Sequence, residues 1–242
     1  MFGYQDLKVS ELVVFSETSN RLKWFYEEAP KFVELGFFFQ QHFGIMEDVS
    51  TQTGEIQSFA FTQFVQFPYT LNHIYDQIMT GYYLESQILI RHLFESLLHL
   101  KYFHKYPENL NKHIEKNYSI KTMIEGITKN SLYEQYRFLC TYAHGFIQKD
   151  IHRTDRRMNK TYFGNLYKED LCTPPINYFI ELMLGFTNVY QDIFPLNTLE
   201  SSAYANDLNK YVRNWCITYR DGHIVSNPLS AKWHEAMTDL VF

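Results

Sequence analysis

The sequence predicts an all-α fold, a single-domain multi-helix bundle with a long central helix and an irregular basic excursion. Two observations carry the prediction. Ten Gly and seven Pro in 242 residues are too few for the tight turns of an all-β sandwich. Apolar positions recur at three and four residues more often than at two, the signature of helices with one buried face. A content of 45% hydrophobic residues, with 21 Phe and 19 Tyr, then calls for a packed core and excludes a disordered chain. The length allows one large domain: an N-terminal helical segment and loop over 1–55, followed by a bundle core over 56–242.

Residues 5–43 read as two or three short amphipathic helices. Capping residues near Thr18, Ser19 and Asn20 and the proline at Pro30 mark the expected restarts, and QDLKVSELVV also fits an edge strand. GIMEDVSTQTGE, residues 44–55, is polar and glycine-bounded and reads as a loop. Over 56–80 a helix is expected to kink or break at Pro68, which lacks a backbone donor. The longest uninterrupted pattern, about Tyr82 to Tyr106, stops at Pro107 and is the expected central helix. A polar patch, ENLNKHIEKNYSI, leads to a short helix near Lys121 to Ile127. Asn130 or Ser131 can then cap a helix that ends near His144 and Gly145, with Glu134 placed for a capping box. The pattern dissolves from Lys149 to Leu171. Thr173, Pro174 and Pro175 are expected to start a helix running to about Phe194. Two more are expected over about Glu200 to Arg220 and Ser230 to Phe242.

A net charge of −5 provides no global field for nucleic acid, so any polyanion site has to be local. Cys140, Cys172 and Cys216 are odd in number, widely spaced and set among apolar residues, which fits reduced core thiols. The first residues show neither a basic leader nor an apolar signal core, and no run of about 18 apolar residues occurs as a membrane span requires. The expectation is a cytoplasmic protein without a membrane partner.

Two helices carry polar stripes where an apolar face is expected. Gln87, Arg91, Glu95 and His99 recur every four residues, and Arg137, Thr141 and His144 follow at four and three, so each set shares one helix face. Their neighbours are Leu, Ile, Phe, Tyr and Ala, so the stripes are expected to be at least partly buried, as an internal ion-pair network or a polar site between helices. Arg91 and Glu95 are spaced to pair with each other, or Glu95 can hold Arg137 across the interface. His99 reads as a satisfied core residue.

Arg137, six intervening residues and His144 at the exit of an apolar helix resemble the motif of HEPN-like domains, all-α proteins of prokaryotic defence and toxin systems. YRFLCTYAHG, with RHLFE (Arg91 to Glu95) upstream, is also similar to a group of prokaryotic helical proteins that pair an Arg-x-x-x-Glu helix with a Tyr-Arg…His-Gly helix. The resemblance covers about residues 80–150. It implies a cytoplasmic, metal-independent endoribonuclease that acts on RNA as a homodimer, with a cognate regulatory or antitoxin protein as a further partner and no cofactor. In that chemistry the ribose 2′-hydroxyl attacks its own phosphate, which calls for a base of near-neutral pKa and a cation on the phosphoryl oxygens. His144 would be the general acid or base and Arg137 the phosphate binder, supported by Arg91, Glu95 and Thr141. The residue after the motif arginine, usually polar in active members, is Phe138 here. That keeps open a second reading, a helical interaction or regulatory protein in which Arg91, Glu95, Arg137 and His144 form a structural polar network.

The excursion beyond His144 carries Lys149, His152, Arg153, Arg156, Arg157 and Lys160, offset by Asp150 and Asp155. Lys149, Arg153, Arg156, Arg157 and Lys160 are the expected RNA-binding cations, with Tyr162 or Phe163 offering a stacking face. An ordinary solvated loop is the alternative. The sequence contains no HExxH, paired-cysteine, phosphate-loop, GxGxxG or GxSxG pattern, so metal, nucleotide-fuelled and serine-nucleophile chemistries are disfavoured. Cys140, one turn before His144, lies within an apolar helix, where a thiol is usually inert.

Overall fold

Helices formed by the expected apolar periodicity build the chain, and several pass straight through the prolines expected to stop them. A computed structural model describes residues 3–41, 47–116, 118–128, 132–143, 166–194 and 214–219, with 154–155, 160–161, 210, 235, 237–238 and 240–241. Helix α1 spans Tyr4–Arg21 and α2 spans Lys23–Gln41. The one break between them falls at Leu22, just beyond the expected Thr18 to Asn20. QDLKVSELVV is helical, which removes the strand alternative. α2 continues through Pro30. Pro30 and Tyr26 both lie on the exposed side, where water can serve the carbonyl that the proline leaves without a helical donor.

α3 spans Gln52–Thr80, begins within the expected loop and runs through Pro68. The Thr51 side chain caps it, accepting from the Gly54 N–H at 3.0 Å. Burial decides the matter at Pro68, which is itself buried and is flanked along the same face by the fully buried Phe64, Phe67 and Leu71. That packing outweighs the roughly 3 kcal/mol that a mid-helix proline costs. α3 ends at Gly81, whose φ of 85° lets the Tyr82 N–H turn back to the Gln77 carbonyl at 2.8 Å.

α4, Tyr83–Lys105, matches the expected central helix and packs on α3. It is shorter than the 29-residue α3. A 3-10 turn at Pro107–Asn109, α5 at Leu110–Lys116 and α6 at Ile120–Ile127 follow. The Lys105 ammonium and Tyr106 hydroxyl both donate to the Gly126 carbonyl, at 3.0 and 3.1 Å, so the end of α4 closes the end of α6. α7 spans Leu132–Ala143. Thr154–Asp155 and Lys160–Thr161 form a two-residue antiparallel ladder, so the excursion is not wholly irregular.

α8 spans Glu169–Ile193 and starts before the expected Thr173. Pro174 and Pro175 sit in its second turn, while the Thr173 hydroxyl donates to the Glu169 carbonyl at 2.8 Å. From Pro175 to Thr187 every position is buried, so α8 is enclosed on all sides. α4 lies against α3, α6, α7 and α8. Residues 214–219 and the described positions from 235 to 241 are helical, and the Asn188 amide donates to the Val241 carbonyl at 3.0 Å. One continuous apolar cluster joins these elements; Phe64, for example, meets Phe39, Phe67, Phe186, Tyr190 and Phe194. Among the described residues no helix is long and apolar enough to cross a membrane. Apart from the two-residue ladder, the described elements are helical, an architecture compatible with the all-α fold that the resemblance implies.

Candidate functional site

The polar stripe of α4 runs along its contact with α7. Gln87 is buried, and Arg91, Glu95 and His99 are half-buried. The Arg91 Nε donates to Glu95 Oε1 at 3.0 Å, the pairing that their four-residue spacing allows. Tyr136 closes the set from α7. Its hydroxyl donates to the same Glu95 oxygen at 2.8 Å and lies 3.3 Å from the Arg91 Nη2 that donates to it. One hydroxyl thus acts as donor and acceptor between the two members of an ion pair.

Packing holds the same geometry. The Arg91 guanidinium lies 5.6 Å from the centre of the Tyr136 ring, which is stacked on Phe94 at 5.9 Å. Burial, reinforced by hydrogen bonding to Glu95 and Cys140, pushes the Tyr136 hydroxyl well above its ordinary pKa, so it stays protonated and keeps its role as a donor. Burial opposes the Arg91 charge, yet Glu95, Tyr136 and Cys140 beside it raise its pKa overall. At the end of this stripe Gln87 keeps its buried carbonyl oxygen without a hydrogen-bond partner among the described residues.

α7 is turned differently from the expectation. Leu132 and Leu139 are fully buried and Tyr136 and Cys140 half-buried, which makes that row the face toward α4. Arg137 is exposed and has no ion pair among the described residues, which corrects the expectation that the second stripe is buried. Phe138 beside it is 43% exposed. Thr141 is exposed as well, and its hydroxyl returns to its own helix at the Phe138 carbonyl, 2.7 Å away. His144, Lys149, Arg153, Arg156 and Arg157 lie outside the described residues. Lys160 is described in its backbone, opposite Asp155 in the ladder.

The structure therefore brings Arg91 and Glu95 together and leaves Arg137 and Thr141 facing solvent. Tyr136 is the member that sequence reasoning missed, although it stands four residues after Leu132 and four before Cys140. Glu181, buried inside α8, was also missed; a lone acid in INYFIELMLGF was its signal. His99, the last member of the α4 stripe, faces His113 of α5 with ring centres 5.3 Å apart. Among the described residues no group of three or more His, Cys, Asp or Glu is arranged to hold a metal ion. No protein-family model, curated protein or solved structure matches this chain, so the site stands on its own geometry.

Proposed function

We propose that the chain is a HEPN-like, metal-independent endoribonuclease of a prokaryotic defence or toxin-type system, working in the cytoplasm. The observation that carries this reading is the exposure of Arg137 on a helix whose opposite side is braced by Arg91, Glu95 and Tyr136. A guanidinium free of structural ion pairs among the described residues is available to a phosphate, and a fixed helix behind it limits the cost of orienting it. In this reading Arg137 neutralises charge on the phosphoryl oxygens, and His144, seven residues on, moves the proton of the attacking 2′-hydroxyl. Lys149, Arg153, Arg156, Arg157 and Lys160 supply the cationic approach for RNA. The active species would be a homodimer held in check by a cognate regulatory or antitoxin protein. Arg91 and Glu95 support α7 without touching substrate.

The test is cleavage of single-stranded RNA in excess chelator by wild type, Arg137→Ala and His144→Ala. Loss of cleavage in both variants with unchanged melting temperature is the expected result. Equal cleavage by all three proteins would rule the mechanism out. The second reading, a non-catalytic interaction protein, is favoured by one observation. On α1, Val9, Leu12 and Val13 are 60%, 69% and 59% exposed and line a shallow groove with Ser16, Glu17 and Asn20. A protein that binds no RNA while its α1 face captures a defined protein partner would establish that reading instead.

A further inference from the structure

α5 meets the end of α4 through a pair of histidines, and one of them also closes the turn that follows α5. His113 of α5 accepts the Tyr118 backbone N–H at its Nδ1, 2.9 Å away, a bond open only to an imidazole with a bare Nδ1. His99 of α4 faces it at 5.3 Å and stacks on Phe103 at 6.1 Å with the rings 9° from parallel. Phe103 also packs on His113 at 5.1 Å, and Tyr118 stacks on the far side of His113 at 6.1 Å. Four rings thus close over the joint.

The titratable surroundings favour the neutral state. Among the described residues, Glu95, one turn before His99, is the acid that acts on it, and it is already engaged by Arg91 and the Tyr136 hydroxyl. From α3, Glu55 reaches α5 through its carboxylate, which accepts from the Asn111 amide at 3.3 Å, two residues before His113.

We propose that α5, together with Tyr118, is a proton-released flap: charging His99 and His113 sets two cations face to face across the α4–α5 contact and detaches α5 from α4, while loss of the Nδ1 acceptor loosens the turn to Tyr118 within the flap. The segment has a defined boundary at each end. The 3-10 turn Pro107–Asn109 precedes it, and the Ser119 cap of α6, accepting the Thr122 N–H at 3.1 Å, follows it. The pinning of α6 to Lys105 and Tyr106 lies outside the flap and contains no histidine. Burial and the neighbouring His113 hold His99 down at about 4, and burial lowers His113 as well, so the closed flap resists protons and the open one takes them up. Opening also bares the lower end of the stripe that supports α7, which ties acidification to the brace.

Hydrogen exchange of the full-length protein followed between about pH 7 and pH 5, corrected for intrinsic exchange, tests the flap. For His99 alone, a shift from 6.5 to about 4 raises the opening constant roughly twentyfold over this interval. The expected result is a loss of that size or more at the amides of α5 and Tyr118, with α8 amides still protected. His113→Asn offers a non-titrating carbonyl in place of Nδ1, and His99→Leu removes the second charge; His99→Leu is expected to abolish most of the pH dependence of α5, and His113→Asn to reduce it by the share that His113 adds. If His113→Asn fails to fold, His99→Leu alone carries the comparison. Unchanged protection of wild-type α5 over the interval, parallel loss at α8, or an undiminished pH response in the foldable variants would each overturn the proposal.

Discussion

Replacing Tyr136 with Phe removes one oxygen and leaves the ring stack on Phe94 in place. Two hydrogen bonds to charged groups go with that oxygen, one to a carboxylate at 2.8 Å and one from a guanidinium at 3.3 Å. A hydrogen bond to a charged group contributes about 1.5–3 kcal/mol when well formed. Two features reduce the value here. Arg91 and Glu95 keep their own 3.0 Å bond, and each side chain retains 24% of its solvent exposure, so water replaces part of what is lost. Tyr136→Phe is therefore expected to cost roughly 1–2 kcal/mol, a fall in Tm of about 2–6 °C for a domain of this size. Chemical denaturation with a double-mutant cycle against Glu95→Gln isolates the contact, and a coupling of about 1 kcal/mol is expected. A Tyr136→Phe protein within about 0.3 kcal/mol of wild type, or additive effects in the cycle, would show that the α4–α7 contact rests on apolar packing alone.

Three other substitutions probe different parts of the molecule. Arg137→Ala, on an exposed position, is expected to change stability by less than about 0.5 kcal/mol while abolishing RNA cleavage, read from parallel melting and cleavage assays. Phe64→Ala empties a fully buried site ringed by five aromatic side chains and is expected to cost about 3–5 kcal/mol in urea titrations. Because the folded protein lowers the His99 pKa, the unfolded chain binds the proton more readily, so stability is present above the unfolded value of 6.5 and drains away as pH falls toward about 4. Its ceiling of about 3 kcal/mol is reduced to roughly 1–2 by the solvent still reaching the ring, and His99→Leu should remove that share of the acid sensitivity in denaturation curves recorded at about pH 8 and about pH 5.

The sequence made the fold class and the limits of α4 legible because a long apolar repeat ends at a proline that really does end it. It misled at Pro30, Pro68 and Pro174, where the helices continue. At Pro68 a local rule about one missing donor was set against burial that only the assembled fold supplies, whereas Pro30 lies on the exposed side, where water can serve the carbonyl left without a donor. The Arg91–Glu95 pair followed from spacing within one helix. The turn of α7 did not, because an aromatic helix offers two plausible polar rows, and a tyrosine hydroxyl is silent in a hydrophobicity pattern. Packing of Leu132 and Leu139 chose the row with Tyr136 and left Arg137 outside.

The meeting of α2 and α3 sets a constraint on how this chain can change. A Cβ added to Gly36 would stand 3.0 Å from the Cβ of Pro68 and 3.2 Å from its Cα. Two residues that each weaken a helix are thus fitted to one another. Neither is free to be exchanged for a better helix former in isolation: alanine at 36 presses on the proline ring, and a larger side chain at 68 presses on α2. In related chains the two positions are expected to vary as a pair, and a designer seeking a stiffer α3 would have to redesign both helices at once.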